Sequence, residues 1–170
     1  MSVHERLEAH ELIHRWWLNY DEGHLGVLRD LLADDCHLSS RTDRGEHPQE
    51  QFIRSDTRGR EVAMAWIRGH RAESPYPLRH NATNIHVTAE RGDEIDLDSY
   101  LFVTQIVERR PVALSSGNVH WTLVRTAAGY RVRRQDVVLD AIESAPFREL
   151  DDVAARQAVE LEYNIVIFLG

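Results

Sequence analysis

The segment Ser116-Gly117-Asn118-Val119-His120-Trp121-Thr122-Leu123-Val124 joins a strand-like alternation to an unusual set of polar side chains. Successive side chains of a strand leave opposite faces, so Ser116, Asn118, His120 and Thr122 share one side and Val119, Trp121 and Leu123 the other. The polar row offers hydroxyl, amide and imidazole groups but no Lys, Arg or Glu. Uncharged hydrogen-bonding groups suit the wall of a small-molecule pocket better than a solvated sheet face. Ser116, Asn118 and His120 are therefore expected to bind a substrate. A second string, His10-Glu11-Leu12-Ile13-His14, sets two histidines one helical turn apart with a glutamate between them, as in zinc hydrolases. No separately placed third ligand accompanies it, and both histidines turn away from the Leu12, Ile13 and Trp16 side. No metal or other cofactor is expected.

The elements that must position these groups follow from periodicity. Leu7, Leu12, Ile13, Trp16, Trp17 and Tyr20 repeat at helical spacing over 4–20, and Gly23 is a plausible stop. A second short helix is expected over 25–32, a short strand over 36–40, and a polar, Arg-rich surface loop over 41–60. A helix over 61–71 would turn Val62, Ala65 and Trp66 inward. Pro75-Tyr76-Pro77 ends it, because the residue before a proline is pushed out of helical space. The period then changes to two, with strands expected over 78–89, 96–108, 113–126 and 130–139. Helices followed by a meander of strands make an α+β fold, with the helices on one sheet face. Trp16, Trp17 and Trp66 would line an apolar cavity. The outer face, expected to carry Val119, Trp121 and Leu123 with Ile85 and Val87, would need a second copy to cover it, giving a homo-oligomer. The domain is expected to occupy 1–145. Residues 146–170, a helix over 151–162 and an apolar run over 163–169, would cover the pocket or an interface.

Composition excludes several function classes. The 170 residues carry 20 basic and 28 acidic side chains, a net charge of −8 that opposes nucleic-acid binding. Every basic residue is arginine, so no lysine is present to form a Schiff base. The single cysteine, Cys36, forbids an internal disulfide and a thiolate metal site. No apolar run reaches the ~20 residues of a membrane span, and the N-terminus has no secretory core. A cytoplasmic location is the expectation.

Three motifs, Asn19-Tyr20-Asp21, Leu78-Arg79-His80 and Ser116-Gly117-Asn118-Val119-His120-Trp121, together resemble the nuclear transport factor 2-like superfamily. The likeness is to its branch of SnoaL-like cyclases and scytalone dehydratase. The resemblance implies a cone-shaped, curved antiparallel sheet with the N-terminal helices packed on its concave face. It implies that Tyr20 and Asp21 reach into the cone, that His80 lies beside Asp21, and that Ser116 and Asn118 stand on the facing strand. An imidazole held by a carboxylate is a sound acid/base unit, because histidine titrates near neutrality and the carboxylate fixes the tautomer. Catalysis by His80, Asp21 and Tyr20 follows as the expected chemistry. Trp17, Trp66, Asn118, Ser116 and His120 would bind a hydrophobic polyketide-, terpenoid- or steroid-like molecule undergoing dehydration, isomerisation or cyclisation. The sequence departs from the dehydratase at two pocket positions, with Gln105 near the place of a second histidine and Ser40 in place of a second tyrosine. Scytalone itself is thus not the expected substrate. A competing resemblance, carried by Leu31-Leu32-Ala33-Asp34-Asp35, Ser40-Arg41-Thr42-Asp43-Arg44, Arg79-His80 with Thr83-Asn84, and Arg134 with Val138-Leu139-Asp140, is to the small subunit of aromatic-ring-hydroxylating dioxygenases. It implies a structural role beside an iron-bearing partner.

Overall fold

The computed structural model describes residues 2–45 and 50–144. Helix α1 (Val3–Asp21) begins with a capping box. The Ser2 hydroxyl accepts from the Glu5 backbone N–H, and the Glu5 carboxylate accepts from the Ser2 N–H. Gly23, at φ +69°, turns the chain just after the helix ends. There follow α2 (Leu25–Leu31), β1 (Leu32–Thr42), α3 (Glu50–Ile53), β2 (Ser55–Arg58), α4 (Arg60–Glu73), β3 (Leu78–Arg91), β4 (Glu94–Val107), β5 (Arg110–Thr126) and β6 (Gly129–Leu139). The fold is α+β, with a curved, unclosed six-stranded sheet in the order β2-β1-β6-β5-β4-β3.

Strands β3 to β6 form the expected antiparallel meander. The pair β1–β6 is parallel. The helix-containing excursion between β1 and the meander is the kind of crossover that parallel neighbours require. Within it, the segment expected to be loop builds α3 and the edge strand β2, whose polar composition suits a sheet edge.

The two faces of β5 are the reverse of the sequence expectation. Val119, Trp121 and Leu123 are buried, together with Ile95, Leu97, Leu101 and Val103 of β4, in the core formed with Ala9, Leu12, Ile13 and Trp16 of α1. Ile85 and Val87 pack against this same core. The apolar row is thus covered by the protein's own helices and needs no second copy. Full burial of each such side chain contributes about 1.5–3 kcal/mol, and Trp121 and Leu123 are completely enclosed. The polar row points outward, and β4 and the residue after β6 supply the charges it lacks. Asp98 accepts from His120 (2.7 Å), Asp96 from Thr122 (2.9 Å) and Asp140 from Ser116 (2.7 Å).

Helix α4 is also rotated from its expected phase. Val62 and Ala65 are exposed, whereas Ala63, Met64 and Ile67 are buried. Leu7 of α1 is exposed as well. The expected C-terminal helix and apolar run lie outside the described residues. Among the described residues no helix is long and apolar enough to cross a membrane.

Candidate active site

Asp21 is the last residue of α1, and its carboxylate is buried. One oxygen accepts the His80 backbone N–H at 2.8 Å, and the other meets His80 Nδ1 at 2.5 Å. Two bonds to one residue fix both the ring and the strand that carries it. The carboxylate claims the Nδ1–H tautomer, so Nε2 is the ring nitrogen left for chemistry. The indole of Trp17 stacks on the imidazole at 4.6 Å, and Tyr20 meets it edge-on at 5.2 Å. Arg71 of α4 donates to the backbone carbonyls of Tyr20 and Asp21, capping the end of α1 with a cation where the helix dipole is negative.

A second imidazole, His70, enters from α4. Its Nδ1 is hydrogen-bonded to the Tyr20 hydroxyl. Trp66 stacks on the ring at 4.7 Å, and Phe52 packs against it at 4.5 Å. Burial pulls His70 down to about 4, aided by repulsion from Arg71 and from His80 whenever that ring is protonated, so the His70 ring is neutral at neutral pH. Burial likewise pushes the Tyr20 phenol well above its usual range. Among the described residues His70 Nε2 is enclosed and has no hydrogen-bond partner.

Both histidines line one cavity of about 400 Å³, within the size range of small-molecule sites. Of the residues expected from sequence, Tyr20, His80, Trp17 and Trp66 line it, with Asp21 behind His80. Gln105 and Ser40, the two departures from the dehydratase pattern, also line it. Ser116, Asn118 and His120 do not. Asn118 borders a shallow groove on the outer sheet face with His86, Asp98 and Tyr100, so the reversal of β5 removes all three from the cavity wall. Ser115 and Leu114 supply that part of the wall instead. His70 and Gln135 are lining residues that the sequence reading missed. For His70 the signal was its position four residues after Trp66, which places both on one helical face. Among the described residues no group of three or more His, Cys, Asp or Glu side chains is arranged to hold a metal. Of the two histidines in the zincin-like string, His14 is exposed on α1.

The model of a SnoaL-like domain matches residues 1–136. The chain belongs to the SnoaL-like domain family. Several solved structures share its fold. An NTF2-like protein with a cystatin-like fold from Novosphingobium aromaticivorans is 26% identical, with a TM-score of 0.67 over 88% of this chain and 90% of that one. A proposed scytalone dehydratase from the same organism is 17% identical, with a TM-score of 0.63 over 79% and 83% of the two chains. The beta subunit of a proposed aromatic-ring-hydroxylating dioxygenase, again from that organism, is 13% identical, with a TM-score of 0.66 over 86% and 97%. No curated protein matches the sequence. These solved structures share the frame of this protein, while its cavity is described by its own side chains.

Proposed function

We propose that this SnoaL-like protein is a cofactor-independent lyase, isomerase or cyclase. Its substrate would be a hydrophobic polyketide-, terpenoid- or steroid-like small molecule, and its chemistry dehydration or proton transfer beside a carbonyl. The observation that carries this reading is the double hold of Asp21 on His80, which leaves one imidazole nitrogen for a bound ligand in an aromatic-lined cavity. His80 takes the proton, and Asp21 orients the ring and stabilises the imidazolium that forms. Trp17, Trp66 and Leu101 supply flat apolar walls. The test is exchange of the α-protons of bicyclic ketones such as 1-tetralone in D2O, followed by NMR. Asp21→Asn presents an amide N–H to Nδ1 and reverses the tautomer, so a loss of about 10²–10⁴-fold is expected. Full turnover in folded Asp21→Asn or His80→Gln would refute the mechanism.

A second reading, a non-catalytic small subunit of a ring-hydroxylating dioxygenase, is supported by likeness of fold, which the dehydratase shares. Co-purification with a large Rieske-type subunit would favour it. In either case we propose self-association of two copies through the outer sheet face, where Tyr100, Phe102 and Ile106 of β4 are each about half exposed.

A further inference from the structure

His70 lacks a role in the acid/base pair, yet its contact with the Tyr20 hydroxyl favours one tautomer. The Tyr20 phenol keeps its proton at any working pH, and its hydroxyl is hydrogen-bonded to His70 Nδ1, with the Ser74 hydroxyl as the other acceptor near it. The nearby Ser74 hydroxyl donates to the His70 carbonyl, at 2.7 Å. A neutral imidazole that accepts at Nδ1 carries its hydrogen on Nε2. That Nε2–H is buried without a partner, which native proteins rarely tolerate unless a ligand or water completes the bond. The same condition recurs around the cavity, where Trp16, Trp17 and Gln135 each have a buried side-chain nitrogen without a partner among the described residues. With His70 in that tautomer all of these groups are donors, which suits a ligand that carries acceptor oxygens.

We infer that His70 is a second catalytic group, whose Nε2–H donates to the substrate oxygen that gains negative charge as His80 removes a proton. The two imidazoles hold opposite tautomers, set by opposite partners. A carboxylate makes His80 a base at Nε2; a phenol makes His70 a donor at Nε2. In the step, the C–H bond beside a carbonyl breaks and its proton goes to His80 Nε2. The electron pair forms a C=C bond, and the carbonyl π pair moves to oxygen, held by His70 without proton transfer. In a dehydration the carbonyl then re-forms, the β C–O bond breaks, and the hydroxyl leaves as water with the proton returned from His80. Tyr20 is a positioning residue in this scheme.

The inference rests on the acid/base reading of His80, and the experiment separates the two. Nitrogen-15 NMR of the wild-type protein at pH 7.5 should show His70 protonated at Nε2 only and His80 at Nδ1 only. His70 protonated at Nδ1, or doubly protonated, overturns the inference whatever His80 shows. Binding of 1-naphthol by calorimetry supplies the second arm, because its hydroxyl can accept from His70 and donate to His80. His70→Asn, whose Oδ1 can still accept from Tyr20, should weaken binding about three- to tenfold, and Tyr20→Phe should let the His70 tautomer drift. Weakening in His80→Gln alone overturns the role of His70 and leaves the acid/base pair standing. Weakening in neither variant, or no binding to the wild type, overturns both.

Discussion

His70 makes the stability of the protein depend on pH in a way that can be calculated. An unfolded histidine titrates at 6.5, while the folded His70 titrates at about 4 because burial opposes its charge. Between these values the unfolded chain binds a proton that the folded one refuses, so the stabilising effect is complete above pH 6.5 and disappears as pH falls toward 4. From pH 7.5 to 5.0 the linkage relation gives a loss of about 2 kcal/mol from this group. Water in the cavity mouth screens part of that, leaving about 1–2 kcal/mol. Tyr20 and His80 face the ring, with Asp21 behind His80 and Arg71 next in α4, and none of these is altered in the comparison variant. Urea unfolding followed by circular dichroism should be run at both pH values on the wild type and on His70→Asn. The wild type should lose about 1–2 kcal/mol more than the variant on acidification, equivalent to about 2–8 °C in Tm for a chain of this size. Parallel losses, agreeing to about 0.3 kcal/mol, would refute the buried neutral imidazole.

Three further outcomes are expected. A methyl group at Gly117 would meet backbone rather than side chains, including Leu139 Cα at 2.8 Å, so Gly117→Ala should cost about 1–3 kcal/mol in a thermal melt; an unchanged Tm would contradict the close approach of β5 to β6. Asn118→Ala and His120→Ala alter the outer face, so each should keep 1-naphthol affinity within twofold of the wild type; a loss of about tenfold or more in either would return that row to the cavity. Phe102→Asp should convert a dimer to a folded monomer by light scattering at micromolar concentration, and a wild type already monomeric there would end the proposal of self-association.

The sequence pattern made the elements legible, because long amphipathic runs carry their period with them. The helix over 4–20 and the four meander strands need no tertiary information. The faces were harder. In β5 both rows could pass as buried, one for lack of charge and the other for hydrophobicity. The deciding fact, that Asp96 and Asp98 on β4 and Asp140 just past the end of β6 complement the polar row, is a matter of register between distant segments. The pairing of Asp21 with His80 was reached through likeness to a family, since 59 residues separate the two partners. His70 escaped for a related reason. Its helix stripe was misphased toward Val62 and Ala65, and the partner that gives it meaning, Tyr20, lies 50 residues away.

All four tryptophans of the protein belong to one assembly. Trp16, Trp17 and Trp66 line the cavity, and Trp121 meets Trp16 and Trp17 edge-on at 6.2 and 5.9 Å. The intrinsic fluorescence of this protein is therefore a local signal. It reports the solvation of the cavity and the charge state of the imidazole stacked on Trp17, and it is silent about the outer sheet face and the β1–β2 edge. An emission change on heating or acidification can mark the flooding of the pocket while the sheet stays intact. Fluorescence and far-ultraviolet dichroism coincide only if the cavity and the sheet unfold as one cooperative unit.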